Sequence, residues 1–212
     1  MNLKNSPSLK TQKTVHPRKT PTKTKAFLSL FLWGLAAIVM ISGRVASVEA
    51  AEAEIPLDLA NKLRPAVTAE GALDTPFFNA KKEKITISGL KGRGVIMNFW
   101  ATWCAPCVRE MPALNNLAQM LKGSGVEVMA ISEDRKPFKK VPPFLEANDL
   151  NNLDLYYDVK GKLSKKLGVE GLPTTVLLGA DGELKGRVIG VLEWDDPETV
   201  KYLVWALGPQ NQ

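Results

Sequence analysis

Three observations predict an α/β domain with a mixed central sheet and helices on both faces. Apolar, strand-like runs alternate with helical stretches through the middle of the chain. Asp181-Gly182, between two β-rich runs, is a hairpin signal. An Asp-Pro start then opens one last helical stretch. The order reads β-β-α-β-α-β-α-β-β-α, which needs parallel crossovers early and antiparallel pairing at the end.

Each element has a local reason. Residues 51–70 are Ala/Glu/Leu-rich, interrupted by Pro56 and Pro65, and read as a spacer with one helical turn. Ile85–Ile87 and Val95–Trp100 are β-rich runs around a Gly-rich turn. From Cys104 to Leu121, apolar Val108, Met111, Leu114, Leu117, Ala118 and Leu121 recur at a helical period, with Pro112 as an expected bend. "VEVMAIS" is a continuous apolar strand of the parallel-sheet type. "PPFLEANDL" is expected to form a helix opening on Pro142 and Pro143. "NLDLYYD" is a strand, and "KGKLSKKLG" a short helix stopped by Gly168. "TTVLLGADGELKGRVIGV" is the hairpin, and Asp195/Asp196-Pro197 caps a helix reaching Leu207.

The net charge of +6 belongs to the leader. Residues 1–50 hold eight of the 28 Lys/Arg and one of the 22 Asp/Glu, leaving 20 basic and 21 acidic side chains beyond. A near-neutral body implies no nucleic-acid patch. Seven Lys/Arg lie between Lys4 and Lys25, followed by sixteen uncharged residues, Ala26 to Ile41. Val48-Glu49-Ala50 and Ala51-Glu52-Ala53 then fit a small-x-small cleavage pattern. Residues 1–50 therefore read as a signal peptide or an N-terminal membrane anchor, with an organellar transit peptide as a minor reading. A basic flank kept in the cytoplasm sends the chain beyond it outward, to a periplasmic location either soluble after cleavage or anchored to the inner membrane.

Export sharpens the meaning of Cys104 and Cys107, the only two cysteines in the chain. A staple closing so short a loop removes little chain entropy. Zinc needs four ligands as a rule, and the only histidine, His16, is in the leader. Two thiolates alone could still carry Cu(I), so a non-enzymatic metallochaperone stays as an alternative. The pair falls where the strand ending at Trp100 gives way to a helix. Unpaired N–H groups and the helix dipole stabilise a thiolate there. Cys104 is the candidate nucleophile, and Cys107, one turn in, the resolving thiol. Such a dithiol carries its own electrons, so no cofactor and no metal is expected.

"FWATWCAPC" followed by "GLPTT" resembles the thioredoxin fold, and "CVREMP" resembles the TlpA/ResA/CcmG branch of exported thioredoxin-like reductases. "LEWDDPETV" is similar to TlpA proteins in particular. The resemblance covers about Gly71 to Leu207, within an expected thioredoxin-like domain of 71–209. It implies that Pro173 is the family's cis-proline, lying against the disulfide and docking the partner's backbone; otherwise it is an ordinary loop proline. Trp103 resembles the active-site tryptophan of a contact surface, or else it simply packs. Glu110 matches the glutamate this branch keeps beside its cysteines, able to relay a proton to the inner thiol; the alternative is a solvated helix acid. Asn98 stands where cytoplasmic thioredoxins carry a buried aspartate, so that proton role is absent or moved to Glu110. The resemblance further implies disulfide-containing exported partners, a membrane electron donor, and substrates in cytochrome or copper-centre assembly. Direction of electron flow is set by relative thiolate stability.

Overall fold

The computed structural model describes residues 53–209, all within the unit Glu49–Gln212, so the expected signal or anchor lies outside the described residues. Helix α1 (Leu57–Lys62) runs directly into strand β1 (Leu63–Arg64). Strands β2 (Phe77–Asn79) and β3 (Lys84–Ile85) precede a 3₁₀ turn at Ile87–Leu90. Then come β4 (Gly94–Trp100), α2 (Ala105–Met120), β5 (Val126–Ser132), α3 (Pro137–Ala147) and β6 (Asp154–Tyr157). The remainder is α4 (Lys162–Lys166), β7 (Thr174–Leu178), β8 (Leu184–Ile189) and α5 (Pro197–Leu207). Among the described residues no helix is long and apolar enough to cross a membrane.

One eight-stranded sheet runs in the order β1-β8-β7-β4-β5-β6-β2-β3. β4, β5 and β6 are parallel, and every other pairing is antiparallel, which makes the sheet mixed as expected. Alternation along β4 explains the two faces. Ile96 and Trp100 pack with α1, α2, α3 and α5, whereas Val95, Met97 and Phe99 pack with the 3₁₀ turn and α4. With both faces covered, β4 and β5 are largely apolar, with Asn98, Glu127 and Ser132 the polar exceptions.

Several expectations need correcting. The 51–70 segment is not only a spacer: β1 extends the sheet by pairing with β8, and Leu59 of α1 is fully buried. The Ile85–Ile87 run divides between the end of β3 and the 3₁₀ turn, and β2 is an additional strand. Helix α3 opens on Pro137, five residues before Pro142. Proline at a first helical position lacks only an N–H that would be unpaired anyway, so Pro137 is the better start. Pro142 and Pro143 sit inside the helix, where each withholds a backbone donor. The hairpin turn is as expected, with Gly182 at φ +86°, and Asp196 caps α5 through Thr199 N–H at 2.9 Å.

Candidate functional site

The parallel strands β4, β5 and β6 all end at one edge of the sheet, and antiparallel β7 begins there, with Phe99 opposite Thr174. Loops at the carboxyl ends of parallel strands are where this architecture places its ligands. The loop after β4 is pinned by Asp134, whose carboxylate accepts from Thr102 N–H at 2.9 Å and Thr102 Oγ1 at 2.8 Å. Helix α2 therefore starts from a fixed point.

Cys104 caps that helix. Its Sγ accepts from Cys107 N–H at 3.3 Å, and Pro106 occupies the first turn. Cys104 and Cys107 are joined as a disulfide with Cα atoms 5.3 Å apart. The two sulfurs differ in access. Cys104 keeps 6% exposure, Cys107 none. A groove of about 620 Å³ passes Trp103, Cys104, Pro106, Glu133 and Leu172. Trp103 is 67% exposed, which excludes a packing role. Pro173 follows a cis peptide bond after Leu172, is buried, and accepts at its carbonyl from Gly190 N–H at 3.0 Å.

Glu110 follows Cys107 by three positions and shares the buried face of α2 with Met111, Leu114 and Leu117. At 1% exposure it is not a solvated helix acid. Oε1 accepts from Asn98 Nδ2 at 2.9 Å; Oε2 accepts from Trp194 Nε1 at 3.1 Å and Leu192 N–H at 3.3 Å. Burial pushes its carboxyl up to about 7, against the three donors, which favour the charged form. Asn98 also donates to Thr175 Oγ1 at 2.9 Å, its pairing partner on β7. A continuous polar chain thus runs from β7 through β4 to α2 and the 192–194 loop.

Of the residues singled out from sequence, Trp103 and Cys104 line the groove, Cys107 and Glu110 are buried on α2, and Pro173 follows Leu172 of the groove. Sequence reasoning does not single out Trp194, Glu133 or Asp134. A tryptophan two positions before Asp196 carries no visible hint of a carboxylate partner. The acids do carry one: Glu133 and Asp134 directly follow an apolar strand, at the edge where strands deliver functional loops. Among the described residues, no group of three or more His, Cys, Asp or Glu is arranged to hold a metal ion.

Residues 65–187 match the AhpC/TSA family. The thiol-disulfide oxidoreductase ResA of Geobacillus kaustophilus is 35% identical over 127 residues, covering 60% of this chain and 72% of that protein. ResA of Bacillus thuringiensis subsp. konkukian is 38% identical over 108 residues, 51% of this chain and 61% of that protein. The chain thus spans about three fifths of the length of the first curated relatives it matches. Among solved structures, StoA of Bacillus subtilis is 27% identical with a TM-score of 0.50, over 62% of this chain and 95% of that one. MTB DsbF, at 20% identity, shares the fold with a TM-score of 0.54, over 64% and 99% of the two chains. A thioredoxin-like sheet, a Cys-Ala-Pro-Cys helix start and these relatives agree: the chain belongs to the AhpC/TSA family and is TlpA/ResA/CcmG-like.

Proposed function

We propose that the protein is an exported thiol-disulfide oxidoreductase that reduces disulfides in partner proteins. The observation that carries this reading is the asymmetry of the pair: one sulfur at the groove, the other sealed in the core on the helix face that carries a buried carboxyl. In the reduced protein, the Cys104 thiolate attacks a partner disulfide; one partner sulfur leaves and the other stays bonded to Cys104. Cys107 loses its proton, with Glu110 as acceptor, and attacks Cys104 Sγ. The second partner sulfur then departs, and two electrons have moved from the Cys pair to the partner. Trp103 and the segment ending at Pro173 flank Cys104 as the docking surface. The basic leader and the apolar run after it support export, with the domain periplasmic or tethered to the membrane facing that side. A membrane donor resets the pair, and the family resemblance points to partners in cytochrome or copper-centre assembly.

Mixing the anaerobically reduced full chain with a disulfide-bonded protein and counting thiols on each after acid quenching tests this. Loss of two thiols from the chain and gain of two on the partner supports it. Absence of exchange, together with tight stoichiometric Cu(I) binding by the reduced chain, would favour the metallochaperone instead.

A further inference from the structure

Disulfide reduction by Cys104 and Cys107, the reading on which this inference rests, leaves one proton unassigned. When Cys104 attacks, the first partner sulfur departs as a thiolate in the groove. Glu110 is buried in the core and does not line that groove. Glu133 lines it together with Cys104 and Trp103, and is the less exposed of its two carboxyls.

Glu133 is the first residue after β5, held there by its N–H on Trp100 O at 2.8 Å. Its Oε1 is buried with no hydrogen-bond partner. Asp158, just after β6, is nearly fully buried beside it and is itself fixed, accepting from Lys162 N–H at 3.0 Å and Ser164 N–H at 2.8 Å. A second negative charge at Glu133, so close to the Asp158 carboxylate, is disfavoured. Burial first, then the Asp158 charge, raise Glu133 to about 8, with the Ser164 side chain opposing. The neighbouring Asp134 is committed to Thr102 and lies 3.8 Å from Lys140 Nζ. The other acid on the groove, Glu170, is exposed.

We propose that the Glu133 carboxyl is the proton donor of the substrate groove, protonating the sulfur that leaves when Cys104 attacks a partner disulfide. The balance is complete: the Cys104–partner S–S bond forms, the partner S–S bond breaks, and the leaving sulfur becomes a thiol as Glu133 becomes a carboxylate. Solvent in the open groove returns the proton before the next encounter. The two carboxyls divide the work, Glu110 accepting from the inner thiol and Glu133 giving to the departing one.

The test uses the reduced full chain and small disulfides whose leaving thiols span aryl to alkyl pKa values. A general acid matters most for a basic leaving group. Glu133→Gln should therefore slow reduction of alkyl disulfides by roughly tenfold or more while leaving aryl disulfides little changed. The wild type is expected to slow above about pH 8 as Glu133 ionises, and Glu133→Gln should abolish that fall. Asp158→Asn, which removes the like charge, should move that falling limb to lower pH. An unchanged leaving-group dependence and pH profile in Glu133→Gln would overturn the assignment of Glu133 alone. A wild-type chain that reduces none of the disulfides would overturn the reading on which it rests.

Discussion

Asn98 Nδ2 donates to Glu110 Oε1 at 2.9 Å, joining the central strand to the helix that carries Cys107. Asn98 cannot titrate, so the buried proton site of this helix start belongs to Glu110. Neutralising it should lower the pKa of Cys107, because the carboxylate is ionised by the pH at which thiols titrate. Thiol titration of Glu110→Gln by ultraviolet absorbance checks the direction; a curve superimposable on the wild type would remove Glu110 from the site. The same residue makes stability pH-dependent. Its folded value is raised from 4.5 to about 7, so between those values the folded state holds the extra proton. Stability should fall as pH rises through that window, by roughly 3 kcal/mol at most. Urea unfolding of the oxidised protein at pH 5 and pH 8 should show this fall, and Glu110→Gln should flatten it.

Trp103 is exposed beside Cys104, so its side chain is available to a partner and adds little to the core. Trp103→Ala should change stability by no more than about 0.5 kcal/mol. It should slow reduction of a protein disulfide while sparing a small aromatic disulfide that needs no docking surface. Equal slowing of both would contradict a docking role.

The N-terminal strap belongs to the domain. Leu59 is fully buried and packs in the same core as Cys107 and Trp194. Leu59→Ala should cost roughly 2–5 kcal/mol, measured by chemical denaturation. A cost near zero would return residues 57–64 to the status of a spacer.

The sheet order is legible wherever periodicity is strong. Apolar β4 and β5, the Asp181-Gly182 turn and the Asp196 cap each announce themselves locally. β1 and β2 do not, because strands of two and three residues carry no period and exist only through pairing with β8 and β6. The start of α3 is misplaced because three prolines compete for it, and sequence alone does not say which one loses least. The cysteines, Glu110, Trp103 and Pro173 are readable because they lie in short motifs. Trp194 and the Glu133–Asp158 pair come from distant parts of the chain, brought together only by the closed fold.

Export rests on residues 1–50, and fusion of a reporter after Gln212 examines it. Activity of a reporter that works only outside the cytoplasm is expected, and N-terminal sequencing then separates cleavage near Ala50 from a retained anchor. Activity of a cytoplasm-only reporter would contradict the export reading.

The central claim is the order of the two thiols, with Cys104 attacking from the groove and Cys107 resolving from within the core. Trapping tests it most directly. Reduced Cys107→Ser, mixed with a disulfide-bonded protein and separated without reductant, should accumulate a covalent adduct through Cys104, identified by mass spectrometry. Cys104→Ser, whose remaining thiol is fully buried, should accumulate none. Equal trapping by both variants, or an adduct only through Cys107, would contradict the account.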